Sequence, residues 1–240
     1  MDTVSDTLSR PDKKGRLTYE VYQLGRKITR LPFLGALIPK ALKTRVQGRL
    51  LTEVFDHLPD RQYMEAFILP ALACLKPSRV LDVGVETYTA HYGQWFPPEP
   101  ECEYWTLDLN PGVARLRPQE RHIIANVLDV ASFFKPESLD VVIMNGPFGY
   151  GIDRLDEQER TIETVRTLLR PGGRLLVGWD LARDGRPVVM NDQGLGDLRI
   201  KDPTEMQSIR SFFRHEAPAE LPARVTFTEC AHVYDWFVLA

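Results

Sequence analysis

Cysteine is scarce in this 240-residue chain. Cys74, Cys102 and Cys230 are the only three, their number is odd, and none forms a CxxC pair. No disulfide framework is expected, and a reduced, cytoplasmic setting is the simplest reading. Long apolar runs are missing too: none approaches the roughly 20 residues needed to cross a bilayer. Residues 1–10 contain no apolar signal-peptide core. The five histidines, His57, His91, His122, His215 and His232, show no metal-ligand spacing, so no metal is expected. Each reads as a surface or capping residue, and His91 alone falls near a candidate site. There is no P-loop, no G-x-S-x-G elbow, no internal repeat and no low-complexity tract.

What remains is an ordinary globular composition, 43% hydrophobic and 26% charged. No Gly/Ser-rich or Pro-rich linker divides the middle of the chain, which favours one large domain. The net charge of −3 counts against nucleic acid as a partner. That charge is unevenly spread. Eleven cations between Arg10 and Arg49 face only Asp12 and Glu20. Residues 1–16 read as a polar tail without fixed structure, and 17–60 as a basic helical extension. Within it, residues 26–51 mix cations with Leu31, Phe33, Leu34, Leu37, Ile38, Leu42, Val46 and Leu50. Peripheral contact with an anionic membrane surface, a lid over an anionic acceptor, and a helix packed on the domain with a solvated charged face all fit that pattern.

From residue 61 the pattern becomes a helix (about 61–74) followed by strand, loop and helix in turn. Arg79–Gly84, Glu103–Asp108, His122–Ala125, Leu139–Asn145 and Arg174–Gly178 read as buried strands. Asp156–Leu169 reads as a helix stopped by Pro171-Gly172-Gly173. Arg224–Glu229 and Val233–Leu239 are separated by too few residues for a crossover, so they are expected to form a hairpin. Repeated βα units predict a parallel sheet with helices on both faces. Ligands of such sheets bind beyond the carboxyl ends of the strands, where strand order reverses. The expected rim is Gly84, Asp108, Asn126, Asn145 and Asp180.

In this order the segments resemble the class I S-adenosylmethionine (SAM)-dependent methyltransferases, over about residues 60–240. Val80-Leu81-Asp82-Val83-Gly84 resembles the family's first strand and turn. Asp108 stands where the family keeps an acidic residue, and Leu139-Asp140-Val141-Val142 is similar to the fourth strand. Leu168-Leu169-Arg170-Pro171-Gly172-Gly173-Arg174-Leu175 resembles the helix, turn and fifth strand, and the hairpin matches the last two. The resemblance implies a Rossmann-like, seven-stranded, mostly parallel α/β sheet over residues 61–240, with SAM as cofactor. The family's D/E-x-G-x-G-x-G loop is altered here: Asp82-Val83-Gly84-Val85-Glu86-Thr87-Tyr88 keeps only the first glycine. Glu86 and Tyr88 must therefore take strained angles or reroute the loop, and Glu86 can instead pair with the cofactor's ammonium.

The candidate cofactor residues are Asp82, Gly84, Glu86, Asp108, Asn126, Val127, Asn145 and Gly146. Asp108 can accept two hydrogen bonds from a ribose diol, or simply form the turn before Asn110-Pro111-Gly112. The resemblance implies that Asp82 orders the loop and that Asn126 and Val127 meet the adenine. Asn145-Gly146-Pro147-Phe148 is distantly similar to the N/D-P-P-Y/F loop of amino-methyltransferases. Pro147, Phe148 and Tyr150 are thus candidates for a substrate loop, and a turn with core aromatics is the plainer alternative. Asp153, Asp180 and His91 are the candidate general bases. The loop Leu181–Arg199 is a candidate gate. The function implied is methyl transfer to a small molecule or a glycan- or lipid-linked intermediate. The rivals are a catalytically silent binding protein of the same fold, a nucleic-acid or protein N-methyltransferase, and an NAD-type enzyme. The absence of G-x-G-x-x-G and the terminal hairpin both count against the last.

Overall fold

The computed structural model describes residues 58–86, 88–116, 121–181, 200–228 and 230–240. The expected tail 1–16, nearly all of the basic extension, Thr87 and the candidate gate beyond Leu181 lie outside the described residues.

Helix α1 (Pro59–Tyr63) passes through a π-helical turn (Met64–Ile68) into α2 (Leu69–Cys74). Pro70 explains the turn. It has no N–H, and in a regular α-helix its ring would collide with the carbonyl four residues back. The helix widens instead, and the Leu69 N–H reaches Met64 O, five residues back. There follow β1 (Arg79–Val83), β2 (Glu103–Asp108), β3 (His122–Ile124), β4 (Leu139–Asn145), α3 (Leu155–Leu168) and β5 (Leu169–Asp180). The described chain ends with α4 (Gln207–Phe212), β6 (Phe213–His215), β7 (Arg224–Thr226) and β8 (His232–Leu239).

All eight strands form one sheet in the order β3-β2-β1-β4-β5-β8-β6, with β7 also paired to β8. The first five are parallel, and β8 returns antiparallel to β5. There are eight strands rather than seven because two short strands share the last position. β6 pairs with Phe237–Leu239 of β8, and β7 with Val233–Asp235. Pro218 and Pro222 lie between them, and neither can donate to a ladder. The expected hairpin is the β7–β8 pair.

The crossovers depart further from expectation. Short 3-10 helices, Tyr92–Trp95, Val113–Leu116 and Val127–Ser132, stand where α-helices were expected. Prolines 97, 98, 100, 111 and 136 break these stretches into pieces too short for an α-helix. His91 accordingly caps a 3-10 helix and is not on an α-helix. Nor does Pro171-Gly172-Gly173 stop α3. That helix ends at Leu168, Leu169 already pairs with Leu139, and the motif lies inside β5 at a register shift, with Gly172 at φ +74.

Strand alternation divides the core in two. Leu81, Leu107, Val142, Leu175 and Phe237 pack with Ile162, Val165 and Ile209 on the side of α3 and α4. Val80, Val141, Ile143, Leu176 and Trp236 pack with Met64, Leu69 and Leu72 on the side of α1 and α2.

Candidate active site

The sheet register settles which polar residues can meet. Asp82, Thr106, Ile143, Leu176 and Trp236 lie in one row across β2, β1, β4, β5 and β8. Ile143, Leu176 and Trp236 face α1. Two residues nearer the carboxyl edge, and so on the same face, come Asp108, Gly84, Asn145, Gly178 and Tyr234. Asp180 and His232 close the edge as a cross-strand pair. One face of one edge thus collects the polar residues, beside the β1–β4 junction where strand order reverses.

Two glycines end the strands at that junction. Gly84 has φ +85 and donates to Leu107 O at 2.9 Å, and Gly146 has φ +88 and donates to Gly178 O at 2.8 Å. A Cβ at Gly146 would meet nothing within 4 Å, so open space adjoins it. Both backbones need a conformation that glycine alone takes cheaply. Glu86 and Tyr88 in the altered loop are not strained. Among the described residues, the non-glycine positions with positive φ are Lys76, Glu137 and Ala219, so Glu86 and Tyr88 keep ordinary angles. Glu86 N–H donates to Thr89 Oγ1 at 2.9 Å, and Thr89 N–H returns to Glu86 O at 3.1 Å.

Several expected site residues have local partners. Asp82 is buried and accepts from Tyr104 Oη at 2.7 Å. Asp108 Oδ1 accepts from Asn110 N–H at 2.6 Å, so the turn is formed. The Val85 N–H also reaches this carboxylate, whose two oxygens together carry further acceptor sites. Burial lifts the Asp108 carboxyl above its ordinary value, against the pull of the Asn110 N–H. Asn126 Oδ1 caps the following 3-10 helix through Leu128 N–H at 3.0 Å, and Val127 lies in the core. Beside Asp108, Leu109 and Ile124 are 56% and 52% exposed, an apolar surface at the ends of β2 and β3. Glu86 is exposed. Phe148 is fully buried in the core and Pro147 is buried, which leaves Tyr150, 51% exposed, as the aromatic at the lip. Asp153 accepts from Gly151 N–H at 3.2 Å within its own loop, and His91 pairs with Glu65 at 2.9 Å.

Asp180, by contrast, anchors a chain of polar contacts. Its Oδ1 meets His232 Nδ1 at 2.8 Å, and His232 Nε2 meets Asn145 Oδ1 at 3.0 Å. Tyr150 Oη donates to Asp180 Oδ2 at 3.2 Å. Burial alone would raise the Asp180 carboxyl, but hydrogen bonds from His232 and Tyr150 bring it below its ordinary value. Burial and Asp180 together push Tyr150 upward, so its hydroxyl remains a donor. His232 thus bridges Asp180 and Asn145 through its two ring nitrogens. Gly178 makes the contact possible: a Cβ there would press into Asn145 Oδ1 and stand 2.9 Å from His232 Nε2.

His232 corrects the surface-or-cap reading, since it is only 7% exposed and bridges two strand ends. The signal for it lay in the hairpin. A last strand that returns antiparallel to β5 must bring its first residue to Asp180. Arg61, from α1, also reaches this face and was not foreseen. No group of three or more His, Cys, Asp or Glu among the described residues could hold a metal ion, and no helix among them is long and apolar enough to cross a membrane.

No family profile and no curated protein sequence matches the chain. Solved structures do. The N-methyltransferase NodS from Bradyrhizobium japonicum WM9 superimposes with a TM-score of 0.52 at 16% identity, over 77% of this chain and 98% of that one. The CurJ carbon methyltransferase gives 0.57 at 14% identity, over 97% and 72%. The 1,6-didemethyltoxoflavin-N1-methyltransferase of Burkholderia thailandensis, solved with its substrate and S-adenosylhomocysteine, gives 0.50 at 16% identity, over 85% and 92%. The chain has the Rossmann-like fold of the class I SAM-dependent methyltransferases.

Proposed function

We propose that this chain is a SAM-dependent methyltransferase acting on a hydroxyl or amine of a small molecule or a glycan- or lipid-linked intermediate. The observation that carries the reading is the one-faced carboxyl edge. Asp108, the glycine-ended β1–β4 junction and the Asp180–His232–Asn145 chain stand side by side on it. The residues fit the cofactor. Asp108 offers a carboxylate oxygen to a ribose diol, Leu109 and Ile124 offer an apolar flank to a base, and the space at Gly146 admits a ligand against the backbone.

When bound, SAM supplies a methyl already activated by its sulfonium, so the protein's work is alignment, exclusion of water and handling of one proton. Tyr150 and Asp180 form the lip that orients the acceptor, and the acceptor's X–H group donates to Asp180. The released proton ends on Asp180, whose carboxylate His232 and Tyr150 hold in place.

Calorimetric titration of the full chain with S-adenosylhomocysteine tests the reading. Binding in the micromolar range is expected, and Asp108→Ala should weaken it by about 10- to 100-fold, the loss of two hydrogen bonds to a charged group. Saturable binding of NADH with no response to S-adenosylhomocysteine would overturn it.

A further inference from the structure

The Tyr150–Asp180 contact also bears on which acceptor fits the rim. Tyr150 stands at the tip of a loop pinned by two buried residues, Phe148 and Ile152. Gly149 N–H donates to Ile152 O at 3.2 Å, and Ile152 N–H to Pro147 O at 3.1 Å. The tip is therefore held, and Tyr150 stays half exposed with its hydroxyl on Asp180 Oδ2. His232 meets the other oxygen, Oδ1. A carboxylate oxygen has room for a second donor, so Oδ2 can take a ligand's N–H or O–H without displacing Tyr150. Leu181, 41% exposed, adds apolar surface next to Asp180.

Among the described residues of this edge, acidic side chains outweigh basic ones. Asp108 and Asp153 follow β1 and β4 around the rim toward Asp180. Arg154 is bound to Asp156 at 3.0 and 3.3 Å. Arg61, 12% exposed, has Asp60 at 3.3 Å and lies 5.2 Å from the centroid of the Tyr88 ring. Burial alone would raise the Asp180 carboxyl, but His232, Tyr150 and, more weakly, Arg61 keep it below its ordinary value. Asp180 is thus a carboxylate at neutral pH and a weak base.

Methyl transfer makes these facts discriminating. The acceptor's lone pair forms the bond to the methyl carbon as the C–S bond breaks. The electron pair of that bond leaves with the sulfur, and positive charge arrives on the acceptor atom. An oxygen must lose its proton during the attack, and a weak base serves that poorly. A neutral amine attacks while an N–H stays hydrogen-bonded to Asp180, and its proton departs along that bond once the C–N bond is made. The charge arriving on nitrogen is met by the carboxylate and by the Tyr150 ring, which attracts a cation within about 6 Å of its centre.

We propose that the methyl acceptor is an amine, seated on Asp180 Oδ2 beside the exposed ring of Tyr150. The reaction itself rests on the methyl-transfer reading, but the amine site does not.

Three probes of similar shape test the proposal at neutral pH: benzylamine, a cation; benzyl alcohol, which is neutral; and sodium benzoate, an anion. Each is titrated into the full chain, with and without saturating S-adenosylhomocysteine, and binding is read by ligand-observed NMR. Benzylamine is expected to bind at least about 10-fold more tightly than the other two. Asp180→Asn should weaken it by about 10-fold or more, and Tyr150→Leu by about 2- to 5-fold. Benzyl alcohol or benzoate binding as tightly as benzylamine, or no binding of benzylamine, overturns the proposal. So does a benzylamine affinity unchanged in Asp180→Asn. Tyr150→Leu, at an exposed loop tip, decides in the same way if Asp180→Asn does not fold. If benzylamine behaves as expected while S-adenosylhomocysteine does not bind, the methyl-transfer reading falls and Asp180 with Tyr150 remains an amine site.

Discussion

Asp180→Asn is expected to lower kcat by about 10²- to 10⁴-fold, the usual worth of a positioned general base. Affinity for S-adenosylhomocysteine should stay within about threefold, because Asp180 belongs to the acceptor side of the rim. The substitution keeps the size of the side chain and can still accept from Tyr150, but it can no longer take a proton. Steady-state kinetics with a methyl acceptor measures the effect, and a loss in KM without a loss in kcat would assign Asp180 to binding instead. Stability gives an independent readout. The Asp180 carboxyl sits below its ordinary value of 3.8 in the folded chain. Its contribution is therefore full above that value and fades as the pH falls through the lower, folded value. Urea unfolding of the wild type and Asp180→Asn should differ at neutral pH and converge in acid.

Asp235→Ala is expected to cost about 3–5 kcal/mol of stability, because it breaks a buried ionic cluster from one side. Asp235 is fully buried in β8 and accepts from Trp179 Nε1, His215 Nε2 and Arg224 Nε, each at 2.8 Å, and from Arg224 Nη2 at 2.9 Å. Arg224 also holds Asp202 through Nη1 at 2.9 Å and Nη2 at 2.6 Å. One carboxylate thus ties β5, β6 and β7 to β8, and through Arg224 it also fixes the segment that leads into α4. The three-residue strands β6 and β7 are too short to hold by their ladders alone. Removing the carboxylate strands the Trp179 N–H and leaves Arg224 with Asp202 as its ion-pair partner among the described residues. Asp235→Asn keeps an acceptor and should cost less. Equilibrium urea unfolding measures both, and a loss under about 1 kcal/mol for Asp235→Ala would mean the cluster is not what anchors the edge.

How far the fold was legible follows from particular residues. β1, β2 and β4 could be read because parallel strands buried on both faces are apolar runs, here closed by Gly84, by Asn110-Pro111-Gly112 and by Gly146-Pro147. The expected bounds of β2 and β4 match the structure. The crossovers could not be read from a βα rhythm, since that rhythm carries no helix length and the prolines of these stretches limit it. At the site, Asp108 was legible from its place at a strand end, and Asp180 likewise. His232 was hidden because a lone histidine before an apolar strand has no periodic signature, and only the β5–β8 register gives it a partner. Arg61 was hidden differently. An Asp-Arg pair at a helix start looks like solvated charge, and only tertiary packing of α1 over the rim encloses it. Phe148 shows the reverse: an aromatic in a glycine-rich loop suggested a lip, and packing drew it into the core while Tyr150 stayed outside.

The measurement that bears most directly on the central claim is a crystal structure of the full chain grown with S-adenosylhomocysteine. The account predicts the ligand across the β1–β4 junction, with its ribose within hydrogen-bond distance of Asp108 and its nucleoside against Leu109 and Ile124. Ligand density anywhere else, or an edge closed over Gly84 and Gly146 at saturating ligand, would contradict it.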